Sequence, residues 1–221
     1  MNKSELIPRI VENKDWVTIV FIMAFAIVAI TKAVFENRFN DFINLIANNK
    51  YLKIYKDSSN LLSWFTVLLF VVQLISVSFF IQLVLSHFNY TTKTNWIVFI
   101  QIFTFVSVFI LAKYLVEKMI ATSFDAESFI EQFNLFKISY RSYLGIVLLP
   151  INILMFYTNF INTYVIIGLL LSLLAINAIT YLISLKNYQN LIIGKLFYFI
   201  LYICTLEIAP YYMIYYVASK Q

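Results

Sequence analysis

Leu61-Leu62-Ser63-Trp64-Phe65-Thr66-Val67-Leu68-Leu69-Phe70-Val71-Val72-Gln73-Leu74-Ile75-Ser76-Val77-Ser78-Phe79-Phe80-Ile81-Gln82-Leu83-Val84-Leu85-Ser86-His87 runs for 27 residues without a carboxylate, lysine or arginine. A bilayer core about 30 Å thick takes about 20 apolar residues of helix. This run exceeds that and is long enough to tilt. It shows no strict alternation and no proline or glycine that would break it into strands. Its reading as a transmembrane helix sets the class of the whole chain.

The same measure predicts six spans over the 221 residues, at about 16–33, 61–87, 96–116, 142–160, 164–185 and 195–217. The first is the shortest, with 16 uncharged residues between Asp15 and Lys32. Glu5, Glu12 and Asp15 dilute the basic stretch before it, and no small-residue cleavage pattern follows it. It therefore reads as a retained span and not as a signal peptide. The fourth and fifth spans are split by the polar-tipped turn Asn159-Phe160-Ile161-Asn162-Thr163. The expected architecture is an all-α polytopic membrane bundle, one integral domain over residues 1–221.

Composition agrees with this reading. The chain is 62% hydrophobic and 19% aromatic, and only 12% charged, about half of what a soluble domain carries. Its mean hydropathy is +0.84. One cysteine, Cys204, excludes an internal disulfide, and one histidine, His87, excludes a histidine metal cluster. Gly-rich phosphate loops, zinc motifs and nucleophile elbows are missing from the sequence. No cofactor, no metal, no catalytic residue and no nucleic-acid partner is expected. The net charge of +5 orients loops on a chain this apolar.

Lys32, Arg38, Lys50, Lys53 and Lys56 separate the first two spans; Lys113, Lys118, Lys137 and Arg141 separate the third and fourth; Lys186 and Lys195 separate the last two. Eleven basic residues thus lie on one side and five on the other. The positive-inside rule places the eleven in the cytoplasm and both termini outside. A five-span rival, in which the first run does not cross, gives a bias of fourteen to two. Charge alone favours that rival, and the apolar length of the first run opposes it.

Two cytoplasmic connections carry amphipathic helices. Phe35, Phe39, Phe42, Ile43 and Ile46 recur at helical spacing in the first, and Phe129, Ile130, Phe133, Phe136 and Tyr140 in the second. Asp125 is the expected N-cap of the second, with Glu127 and Glu131 favourable near its N-terminal dipole. Each either lies on the headgroups or packs under the bundle, with a surface for docking a partner as the sharper alternative.

Polar groups within the spans mark the candidate site. Glu207 is the only acid between Lys195 and Val217. A charge there costs roughly 2.5–3.5 kcal/mol on insertion scales, so such a residue pairs, lines a cavity or carries function. Cys204 and Tyr211 share its face at i−3 and i+4. Pro210 frees the carbonyl of Leu206. By helical rise, Gln73, Asn152 and Asn177 fall at a similar depth, about 14–18 Å from the inner ends of their spans. Either the four form a connected midplane layer, or each amide bonds a neighbouring helix by itself. Pro150 likewise frees the carbonyl of Ile146, and Lys113 snorkels or reaches Glu117 at i+4.

The run Cys204-Thr205-Leu206-Glu207-Ile208-Ala209-Pro210 resembles the C-terminal Cys-Thr-Leu-Glu-x-x-Pro signature of a Bacteroidota inner-membrane family known as a domain of unknown function. Glu127-Ser128-Phe129 and Leu148-Leu149-Pro150 are similar to that family's acidic-x-Phe opening and Leu-Leu-Pro span. The first amphipathic segment departs from it in holding fewer arginines. The resemblance covers nearly the whole chain. It implies an inner-membrane protein whose first span crosses, and it supplies no reaction. The sequence then points to a non-enzymatic subunit or assembly factor of an envelope complex, touching lipid and another membrane or envelope protein. A small proton- or ion-coupled transporter centred on Glu207 is the alternative, and an intramembrane enzyme ranks third.

Overall fold

The computed structural model describes residues 14–45, 54–55, 63–123, 127–158 and 162–187. Six helices are built from them: α1 (Asp15–Val34), α2 (Glu36–Ile43), α3 (Trp64–His87), α4 (Trp96–Ser123), α5 (Glu127–Tyr157) and α6 (Thr163–Asn187). Among the described residues five helices are long and apolar enough to cross a membrane, namely α1, α3, α4, the part of α5 from Phe133 onward, and α6 up to Thr180. The expected sixth span, 195–217, lies outside the described residues.

The apolar run that opens the argument becomes α3, the central helix. Ser63 caps it, its hydroxyl accepting from Thr66 N–H at 3.5 Å. Its other end closes on Asn89, which adopts φ 63°. The N–H groups of Asn89 and Tyr90 donate to the carbonyls of Ser86 and Leu85, at 3.1 and 3.0 Å. This pairing satisfies carbonyls that the last turn would leave open, and asparagine tolerates the left-handed position it requires. Most of the central part of α3 is buried, whereas α4 and α6 turn most of their side chains outward. α3 packs most extensively on α5, then on α4 and α1.

An aromatic core joins these helices. Phe79 stacks on Phe21 of α1 and meets Phe99 of α4 at a tilt of 31°, each with ring centroids 4.4 Å apart. Trp16 covers the same cluster and donates its indole N–H to Thr94 O at 3.0 Å. Val17, Phe21 and Ala24 bury one face of α1 against this core. The first apolar run therefore forms a 20-residue helix built into the bundle.

The first amphipathic segment packs under the bundle. Phe39 and Phe42 of α2 are buried with Leu45, Phe65 and Leu69, while Ile43 points outward. The second segment differs from expectation. It is not a separate interfacial helix: residues from Glu127 continue without a break through Tyr140 and Pro150 to Tyr157 as the 31-residue α5. Phe133 and Phe136 are buried, so this stretch is held by packing against other helices and is not released onto the membrane surface. The third span also runs longer than the expected 96–116, to Ser123. Apolarity marks where lipid contact ends, and helical hydrogen bonding continues past it. Asp125 and Ile46 lie outside the described residues.

Candidate functional site

Gln73 and Asn152 come together on one seam, the contact between α3 and α5. Gln73 is buried, and its Oε1 accepts from the Ser142 hydroxyl at 3.3 Å. Asn152 is fully buried and donates Nδ2–H to the Ser76 carbonyl at 2.7 Å and to its hydroxyl at 3.3 Å. Each amide thus closes on a serine of the facing helix. Gly145 makes the approach possible: a Cβ placed there would lie 2.7 Å from Gln73 Cα. Small residues at a crossing let two backbones meet, and polar side chains then bond across them.

Asn177 does not join this seam. It is exposed on α6, and its amide donates to Leu173 O of its own helix at 2.9 Å. Glu207, Cys204, Pro210 and Tyr211 lie outside the described residues. Among the described residues no three histidines, cysteines or carboxylates are grouped as metal ligands would be.

A second polar group gathers at the end of the bundle where α3 begins. Glu117 of α4 and Lys137 of α5 are both buried and form an ion pair at 3.2 Å. Sequence spacing left Lys113 either to snorkel or to reach Glu117 on its own helix; the tertiary fold brings Lys137 from the next helix to Glu117. Lys137 also lies 5.1 Å from the centroid of the Phe133 ring. A cavity of about 120 Å³ opens beside the pair, with Lys113, Arg141, Asn134 and Thr66 also on its wall. Asn134, Lys137 and Arg141 stand at i, i+3 and i+7 of α5 and so share one stripe. Arg38 of α2 donates to Thr66 Oγ1 at 3.4 Å and rests on the rings of Phe65 and Tyr55 at 4.7 and 4.8 Å. Sequence reading missed this group. Its signal was Lys137, four residues after Phe133 on the apolar face of an amphipathic segment, where a cation needs a partner.

The opposite end is tied by polar contacts of its own. Gln82 is buried and donates to Asn95 O at 2.9 Å. Thr18 and Tyr157 share a 2.6 Å hydroxyl contact, His87 Nε2 meets Thr163 Oγ1 at 2.9 Å, and Lys93 donates to Phe156 O at 3.2 Å.

A bundle of apolar helices clamped by a small-residue crossing and buried amides is a polytopic membrane protein. Residues 17–218 match the family described as a domain of unknown function, DUF4271, and the chain belongs to that family. No curated protein and no solved structure matches it.

Proposed function

We propose that this chain is a non-catalytic scaffold of the bacterial inner membrane, a subunit or assembly factor of an envelope complex, with both termini in the periplasm. One observation carries the reading: the mid-span amides Gln73 and Asn152 are engaged in clamping α3 to α5. Amides bonded across a helix crossing hold its shape, as a scaffold requires. The broad outward faces of α4 and α6 support the same reading, since they offer apolar area for helices of another protein.

The test is extraction in a mild detergent after cross-linking within the intact membrane, followed by native gel separation. The expected result is a single reproducible heteromeric band whose other component is an envelope protein. A chain that migrates alone after cross-linking overturns the proposal. The transporter alternative rests on Glu207. It is decided by sealed vesicles carrying the purified protein and an internal pH dye: proton flux abolished by Glu207→Gln would establish it, and a lack of flux in the wild type would remove it.

A further inference from the structure

We infer that α4 pairs with α4 of a second copy of this chain, in a parallel helix seam held by Gln101. The outward side of the helix is the first argument. Phe99 and Glu117 are buried and lie eighteen residues apart, which is five helical turns, so both point into the bundle. Val108 stands nine residues from each, on the opposite side, and is 60% exposed. Along that side Ile97, Gln101, Thr104, Val108, Leu111 and Leu115 are all exposed, and they follow one another at steps of four, three, four, three and four residues. That is the a/d spacing of a left-handed helix pair. Membrane helices commonly cross in this geometry, at about +20°.

Gln101 points to what covers this side. It lies within the uncharged run 96–112 of a helix long and apolar enough to cross a membrane. Along the axis Trp96 is about 7.5 Å away and Lys113 about 18 Å, at a rise of about 1.5 Å per residue. Neither Gln101 nor Thr104 beside it has a hydrogen-bond partner among the described residues, whereas the partly buried Ser107 donates to Phe103 O at 2.7 Å. An amide left open in hydrocarbon is costly, and glutamine side chains bond across membrane helices. A primary amide both donates and accepts, so two of them close a reciprocal pair. Either topology derived from the basic residues orients every copy alike, so a second copy brings its own Gln101 at the same depth, on an α4 running in the same direction. Parallel helices with this spacing set each a position against its equivalent. Gln101 occupies an a position, where a single polar residue fixes register and the number of strands. A twofold axis beside it satisfies both amides, and twofold pairs are the commonest oligomers. A different protein would need an amide of its own at the same depth and register.

The pairing is independent of the scaffold reading and leaves the outward side of α6 to other helices. The test uses the full-length chain with Cys204→Ser as background and one new cysteine: Val108→Cys in the seam, Val106→Cys on the partly buried side, or Ile179→Cys, exposed on α6. Oxidation in the native membrane should join Val108→Cys into a band near twice the chain mass of 26.0 kDa and leave the other two monomeric. No such band from Val108→Cys overturns the inference. A band of equal strength from Ile179→Cys indicates random collision and overturns it too. A cross-linked band of any other mass gives the seam to another protein and has the same consequence. Energy transfer between labelled copies in vesicles of graded lipid content then reads the strength of pairing. Gln101→Leu should weaken it about fivefold to thirtyfold, the factor for a bond of about 1–2 kcal/mol between membrane helices. Gln101→Asn, which keeps the amide, should lose less. Gln101 is exposed, so neither substitution disturbs packing within the bundle. Pairing as strong in Gln101→Leu as in the wild type overturns the inference, since the amide would then have no part in the seam.

Discussion

Gly145→Ala sets two effects of opposite sign against each other. Replacing a helical glycine by alanine gains about 0.8–1 kcal/mol of helix propensity. At Gly145 the added methyl would lie 2.7 Å from Gln73 Cα and 2.9 Å from its Cβ. Comfortable carbon–carbon contact begins at about 3.5 Å, so α3 and α5 must separate by about 0.8 Å. The nearest obstacle is backbone, which cannot swing aside as a side chain can. Forcing extra methyl groups into a packed contact costs about 1–3 kcal/mol. The Ser142–Gln73 bond, at 3.3 Å and one turn away, would be stretched past bonding distance. Its loss adds about 0.6 kcal/mol, the average for such bonds in one membrane protein. The clash wins, with a net destabilisation of about 1–2 kcal/mol. Gly168 on α6 is the matched control, because a Cβ there meets nothing within 4 Å. Gly168→Ala should be neutral or stabilising by up to about 1 kcal/mol. Reversible unfolding in mixed micelles, titrated with dodecyl sulfate and followed by circular dichroism, reads both variants. Equal midpoints for Gly145→Ala and Gly168→Ala would refute the close crossing, as would a Gly145→Ala protein more stable than wild type.

Three further outcomes test the buried contacts and the topology expected from the distribution of basic residues. Asn152→Leu removes the 2.7 Å bond to Ser76 O and should lower stability by about 0.6–1.7 kcal/mol in the same unfolding assay; an unchanged midpoint would show the bond is idle. Lys137→Ala removes the cation 3.2 Å from the buried Glu117 carboxylate and should cost about 3 kcal/mol, the low end for a broken buried pair because Lys113 shares the same cavity wall. The double variant Glu117→Gln, Lys137→Gln should recover part of that loss, and a double variant no better than the single one would show that the charges do not couple. Reporter fusions at Lys3 and Gln221 should report periplasm and one at Lys53 cytoplasm; a cytoplasmic result at Lys3 alone restores the five-span topology.

Membrane residence, helical class and most span positions were legible without coordinates. They depend on single-segment properties, length and apolarity, which need no knowledge of neighbours. Gln73 and Asn152 were also legible as residues that needed partners, because an amide in hydrocarbon is costly wherever the helix packs. Who those partners are was not legible. Ser142 and Ser76 look unremarkable in sequence, and only the rotation of α3 against α5 brings them opposite the amides. Asn177 carries the same chemical type at similar depth, yet bonds its own helix, because its side chain faces outward.

The second amphipathic segment shows where sequence patterning stops. An apolar stripe at helical spacing states that a face must be buried, and lipid headgroups or other helices satisfy that equally well. The structure chose other helices, fusing residues 127–140 onto the fourth span as one helix. That choice carries Lys137 across to Glu117 and opens the cavity beside them. By itself, the sequence determined that this chain lives in a bilayer as helices, since the cost of unpaired backbone in hydrocarbon leaves no other described form for such runs. Tertiary structure alone decided which polar groups meet, because meeting depends on the crossing distance at Gly145 and the facing of each helix, and neither is written in any single segment.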